Sequence, residues 1–263
     1  MKISAYTTVF NLKNIQLSLI EALDNWFYYF DEVVICTVTK DLEDIQQEIK
    51  NYKFFEKIKI VDVDIDFNNL YWDGILKNHS LQNCSNEIVF QIDLDERVSG
   101  SKNSLINLYN ILISQNKSCS FMLKSIDLFF DLDHYKNIGQ KWYIHTKKDC
   151  YRGAVNFSKI NNEVFDPEKS DTCELIDKDG NLINCLGCLN ATDDSIKIFH
   201  LGFLDLNRRS QLNKNFWKDI WSERKSLSQN KKIEANDIFI DPNEFNSINK
   251  YKHNFSQPLW PTI

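Results

Sequence analysis

Glycine and proline are scarce in this chain of 263 residues, at seven and four respectively. That scarcity excludes collagen-like repeats, glycine-rich linkers and proline-rich recognition segments. No apolar run approaches the ~18–20 residues that would cross a bilayer. The opening stretch Met1–Tyr6 starts no secretory apolar region, because Asn11, Lys13 and Asn14 interrupt it at once. Positive charge is in deficit: 31 Lys plus Arg against 37 Asp plus Glu give a formal net charge of −6. A chain of that sign is a poor nucleic-acid binder, since neutralising phosphates needs a basic face. The seven cysteines, at 36, 84, 119, 150, 173, 185 and 188, are odd in number and scattered. They argue against a disulfide framework and for a reducing, cytoplasmic compartment. Heavy use of Lys, Asn and Ile reads as the coding bias of an AT-rich genome, bacterial or viral.

What remains is ordinary globular composition, 43% hydrophobic and 26% charged, with enough chain for one large core. Residues 3–9, 32–38, 57–63 and 87–92 read as strands, the second (EVVICTV) of the fully buried kind. Helical patterns fall between them, over about 15–30, 41–52 and 73–84, with Asp41 placed as an N-cap. That alternation predicts a mostly parallel sheet with helices on both faces. The second half loses the alternation. A helix is expected over 103–114, strands over 119–131 and 195–199, and a closing helix over 208–228. Residues 141–157 read as aromatic and irregular, and 166–184 as polar and turn-rich. No linker interrupts the chain, so one domain spans 1–263, with an α/β half over 1–100 and a mixed half over 101–263.

In an open parallel sheet, ligands collect at the carboxyl ends of the strands. Here those ends carry Thr8 to Asn11, Thr39-Lys40-Asp41, Asp64-Ile65-Asp66 and Asp93-Leu94-Asp95-Glu96. A rim of carboxylates cannot attract a phosphate unaided. A divalent ion between the two is the usual answer, which makes Mn²⁺ or Mg²⁺ the expected cofactor. Neither G-x-G-x-x-G nor G-x-x-x-x-G-K-[ST] is present, which removes a dinucleotide fold and a P-loop.

Several segments together resemble the GT-A glycosyltransferases, especially the family 2 type. Thr8-Val9-Phe10-Asn11 sits where that family ends its first strand. Lys77-Asn78 lies sixteen residues before Asp93, where the family has Arg-Asn. Asp93-Leu94-Asp95-Glu96 resembles its Asp-x-Asp-Asp, departing only at the last position. Ile198-Phe199-His200-Leu201-Gly202-Phe203, followed by Asp205, Arg208 and Arg209, resembles its carboxy-terminal segment. The likeness covers 3–96 well and 195–225 less closely, and leaves 100–190 unmatched.

The resemblance implies a GT-A (Rossmann-like) α/β fold and transfer of a sugar from a nucleotide-diphosphate donor to a glycan or other hydroxyl acceptor, with inversion. It implies Asp93, Asp95 and His200 as metal-side residues, and Thr8, Asn11, Asp41, Lys77 and Asp93 as donor-binding ones. Asp41 remains readable as a plain helix cap, and His200 as a core histidine. An inverting transfer needs a carboxylate base, and the acidic stretch 166–175 nominates Asp171, then Glu174. Asp127, Asp131 and Asp133 read as a solvated hairpin end. Cys173, Cys185 and Cys188 with His200 form a weak zinc pattern, because a second close cysteine pair is missing. Trp142, Tyr143, Tyr151 and Phe157 suit either a sugar platform or a core seam. Two other classes compete with glycosyl transfer: a sugar-nucleotide-forming transferase, which lacks its glycine-rich loop here, and a non-catalytic carbohydrate- or nucleotide-binding module.

Overall fold

The β-branched runs of the first hundred residues become the strands expected of them. A computed structural model describes residues 2–12, 17–67, 69, 72–153, 174–204 and 250–263. Strands β1 (Ile3–Thr8), β2 (Glu32–Val38), β3 (Ile58–Val63) and β4 (Ile88–Gln91) are parallel, in the spatial order β3-β2-β1-β4. Both faces of β1, β2 and β4 are covered, and β2 accordingly reads as an unbroken apolar run, whereas the edge strand β3 carries Lys59 and Asp62 on its exposed positions. Ala5, Val33, Ile35 and Phe90 face one layer, made by α1 (Leu19–Tyr29), α2 (Leu42–Ile49) and α4 (Lys102–Ile113). Tyr6, Val34 and Val89 face the other, against Leu81 of α3 (Trp72–Gln82) and Cys84 just after it.

Local chemistry sets the helix starts. Ser18 caps α1 by accepting from the Glu21 amide, and Ser101 caps α4 by accepting from Asn103. Asp41 stands at the N-cap position of α2 but makes no cap hydrogen bond, having turned elsewhere.

The second half differs from its sequence reading. β5 (Glu96–Ser99) follows the acidic motif directly and was not expected. β6 (Cys119–Phe129) was expected, but the supposedly irregular 141–157 region holds the last six residues of a long strand, β7 (His134–Thr146), and β8 (Tyr151–Gly153). β7 lies antiparallel to both β4 and β6. Much of its length is half-buried or exposed, so it lacks the apolar run that betrays a central strand. β9 (Glu174–Ile176) pairs with β8, and β10 (Asn184–Cys188) runs beside β6. β11 (Lys197–Phe203) extends four residues past the expected strand end. It lies between β6, to which it is parallel, and β5, to which it is antiparallel. β12 (Tyr251–Lys252) pairs with β7. The main sheet thus reads β3-β2-β1-β4-β7-β6-β11-β5, the mixed α/β, Rossmann-like arrangement that the resemblance implies. The helix expected over 208–228 lies outside the described residues. Among the described residues no helix is long and apolar enough to cross a membrane.

Candidate functional site

The acidic motif is a tight turn between β4 and β5. The Glu96 amide donates to the Asp93 carbonyl at 2.9 Å, and Glu96 Oε2 accepts from the Asp93 amide at 2.8 Å. The Glu96 side chain therefore closes back on its own turn. From beneath, Arg97 Nη1 donates to the carbonyls of Leu94 and Glu96, and Trp26 Nε1 to that of Glu96. Buried Asn25 of α1 holds β5 by accepting from the Val98 amide at 2.7 Å and donating to its carbonyl at 2.9 Å. The turn sits on a fully bonded base.

Asp93 is gripped by two lysines. Lys77 of α3 reaches Oδ1 at 2.9 Å, and Lys141 of β7 reaches Oδ2 at 2.7 Å. Gln91 Nε2 adds a donor to Oδ1 at 2.9 Å. Lys141 also bonds Glu96 Oε1 at 3.1 Å, which accepts from the Tyr143 hydroxyl at 2.8 Å as well. Burial opposes the charge on Asp93, but Lys141 and Lys77 outweigh it and hold this carboxyl well below the usual range. Lys141 is raised in turn: burial would lower it, yet Asp93 and Glu96 favour its charged form. Burial pushes Glu96 up despite the Lys141 charge. Below the cluster, fully buried Arg152 points Nη2 toward Gln91 Oε1 at 3.5 Å.

Asp95 faces a different partner. Its Oδ2 lies 3.1 Å from His200 Nε2, and His200 Nδ1 lies 3.0 Å from Asp127 Oδ1. Burial alone would lower the His200 pKa, but the Asp95 charge and the Asp127 hydrogen bond carry it up to about 10. The backbones also join, with the Leu201 amide donating to the Asp95 carbonyl at 2.7 Å. Gly202 keeps the neighbourhood open: a Cβ there would lie 2.7 Å from His200 Nε2 and 3.0 Å from Asp95 Oδ2.

A divalent ion suits this pair. An imidazole nitrogen and a carboxylate oxygen are ordinary ligands, and 3.1 Å is a spacing that two neighbouring ligands of one ion can span with bonds of about 2.0–2.2 Å. The cradle that a Cβ at position 202 would fill lies against both atoms. Among the described residues no group of three or more His, Cys, Asp and Glu side chains is gathered for a metal. Asp95 and His200 could supply two ligands to such an ion. Asp93, expected on the metal side, is the residue engaged by the lysine pair.

At the neighbouring strand ends, Asp41 Oδ2 accepts from the Asn11 amide, so two expected donor-binding residues do meet. Asn11 adopts a φ of 55°, a left-handed conformation that Asn tolerates better than most residues. Thr8 ends β1, half-buried and paired with Cys36. Asn78, placed beside Lys77 by the resemblance, docks β8 instead: it donates to the Arg152 carbonyl at 3.0 Å and accepts from its amide at 2.8 Å. Glu174 opens β9, and its buried Oε2 has no hydrogen-bond partner among the described residues. Asp171 lies outside the described residues.

Other expectations resolve simply. Tyr143 belongs to the main core, and Trp142 packs against Cys150, Leu175 and Ile183; Phe157 is outside the described residues. Cys185 and Cys188 are exposed, Cys173 is outside the described residues, and His200 is committed to Asp95 and Asp127. Asp131 and Asp133 do sit at the hairpin end after β6, with Asp131 bonded to His134 at 2.8 Å, but Asp127 lies within the strand. Lys141 was missed as a site residue, and Asp127, read as part of a hairpin end and otherwise only as a reserve candidate for the base, was not placed beside His200. No sequence signal placed either: the register that sets Lys141 opposite Leu123 and Asp127 opposite Asn137 appears only in the structure.

No family model matches the sequence, and no curated protein matches it. Solved structures do. TarS 1–349 from S. aureus aligns over 89% of this chain and 67% of its own, at 14% identity and a TM-score of 0.40. The same segment in complex with UDP aligns over 85% and 70%, at 14% identity and a TM-score of 0.41. Against a longer TarS chain, this protein spans 43% of the length. HddC from Yersinia pseudotuberculosis aligns over 75% of this chain and 92% of its own, at 11% identity and a TM-score of 0.43.

Proposed function

We propose that this protein is a glycosyltransferase that moves a sugar from a nucleotide-diphosphate donor to an acceptor hydroxyl, with Mn²⁺ or Mg²⁺ held at Asp95 and His200. The observation that carries this reading is the approach of Asp95 Oδ2 to His200 Nε2, 3.1 Å apart, on the same turn as the lysine-bound Asp93. The bound ion would supply positive charge to the leaving diphosphate. Lys77 and Lys141 would share that work, since an ammonium carries three N–H donors and can bond a phosphate oxygen as readily as a carboxylate. Asp41 and Asn11, with Thr8 behind them, would hold the base and ribose. Transfer with inversion follows the family 2 likeness and requires a carboxylate that takes the proton of the attacking hydroxyl. Glu174 suits that role through its unpartnered oxygen, and Asp171 remains the alternative from the same acidic segment.

A thermal-shift panel of UDP-, GDP-, CMP- and dTDP-sugars, with and without Mn²⁺, tests the reading. One donor should stabilise the protein by about 2.7 kcal/mol at a hundred times its Kd, and the shift should depend on Mn²⁺. A flat response to every donor in both conditions would sink it.

A further inference from the structure

His200 can serve a metal only if one particular nitrogen is presented, and a free imidazole does not choose. A neutral ring carries its proton on either nitrogen, and only the bare one can be a ligand. On the side away from Asp95, the Asp127 carboxylate meets Nδ1 at 3.0 Å. The strand register enforces that meeting. β6 and β11 are parallel neighbours, and Asp127 stands directly opposite His200, so both side chains leave the sheet on the same face. On the opposite face, Ile126, Leu128, Phe199 and Leu201 pack into one apolar cluster, which leaves neither strand free to rotate. Both polar side chains are mostly covered, at 17% exposure for His200 and 18% for Asp127.

We infer that Asp127 is the positioning residue of His200: it keeps the Nδ1 hydrogen bond and fixes the ring plane, so that Nε2 is the atom turned beside Asp95 and the one that would give up its proton to a metal. A carboxylate behind a metal-bound histidine does this work in many metal sites, and removing one typically costs 10–100-fold in metal affinity. The inference rests on the metal reading given above for its purpose, but the Asp127–His200 bond can be tested without any metal.

The test compares the parent protein with Asp127→Ala, Asp127→Asn and Asp127→Glu. Proton NMR of the metal-free protein should show the His200 Nδ1 proton as a downfield, slowly exchanging resonance in the parent, and it should vanish in Asp127→Ala. Mn²⁺ titrations in the presence of UDP, followed by electron paramagnetic resonance, should show affinity falling about 10–100-fold in Asp127→Ala. Asp127→Glu should recover part of that loss, because it restores a carboxylate. A residue that merely supports the fold would lower the melting temperature and leave Mn²⁺ affinity unchanged in the folded protein. Persistence of the ring proton in the Ala variant, or Mn²⁺ affinity within about twofold of the parent, overturns the inference. Should Asp127→Ala not fold, Asp127→Asn is read by Mn²⁺ affinity alone, because its amide oxygen can still accept from Nδ1: a clear loss of affinity supports the inference, and affinity within about twofold of the parent overturns it. Should the parent bind no Mn²⁺, the metal reading fails, and the ring proton alone decides whether Asp127 positions His200.

Discussion

The two rims of the parallel sheet both carry carboxylates, and the sheet treats them differently. At the amino rim, Glu32 is enclosed by the Ser4 hydroxyl and by the amide and hydroxyl of Ser85, at 2.8 and 2.7 Å. These donors are short, neutral and supplied by adjoining βα units. At the carboxyl rim, Asp93 and Asp95 are met by two lysines and a histidine, the histidine from 105 residues away. A serine bonded to Glu32 brings no charge that a ligand could take over. Lysines and a histidine can trade a protein carboxylate for a phosphate or share it with a metal. Chemistry is available at one rim because its acids are matched by groups able to change partners.

Substitutions can break this contrast. Asp95→Asn should have the largest effect, lowering turnover by about 10²–10³-fold, with a loss of stability smaller than that at position 93. Parent-like Mn²⁺ dependence in that variant would remove Asp95 from the site. Asp93→Asn should instead be felt in stability, by about 2 kcal/mol in urea titration, because it leaves Lys77 and the half-buried Lys141 short of their shared counter-charge. Equal stability losses at positions 93 and 95 would erase the division of labour within the motif. Lys141→Met should weaken UDP binding about tenfold even without metal, the value of one charge-assisted hydrogen bond. Unchanged metal-free affinity would make Lys141 a structural partner of Asp93 alone.

The smallest effect belongs to the amino rim. Glu32→Gln should cost about 0.5–1 kcal/mol, allowing for its exposure, with donor binding untouched. Burial raises the Glu32 pKa, but the bonds from Ser4 and Ser85 prevail and hold it below its ordinary value. A folded-state pKa below the unfolded one, about 4.3, means that this stability is present above that pH and is lost as the pH falls through the folded value. The stability gap between parent and Glu32→Gln should therefore narrow below about pH 4. A gap that widens in acid reverses the sign and the assignment.

The parallel half was legible because β1, β2 and β4 are almost wholly buried and α1 starts at a polar cap, Ser18. β7 was not legible. Residues such as Lys141 and Gln140 interrupt its apolar character because one end of the strand reaches the site. Asp93, Asp95 and His200 could be named from spacing, but their separate employments could not. Spacing along a chain does not record that Lys141 arrives from a strand 48 residues on, or that Asp127 stands opposite His200. Asp41 shows the converse: its N-cap position was right, yet its carboxylate serves the Asn11 amide across the rim.

The bond between the Leu201 amide and the Asp95 carbonyl has a consequence for the order of folding. Strands β1, β2 and β3 can assemble from neighbours in the chain, each pairing closing a short loop through one helix, whereas β4 returns to β1 across about 85 residues. Joining β5 to β11 closes a loop of about a hundred residues at once. The extra entropy grows only logarithmically with length, but non-local pairings of this kind slow folding most. The order this implies is the β1-β2-β3 core first and the site afterwards: the acidic turn is secured by the distant Asn25 and Trp26, and the site is complete only when β11 brings His200 to Asp95.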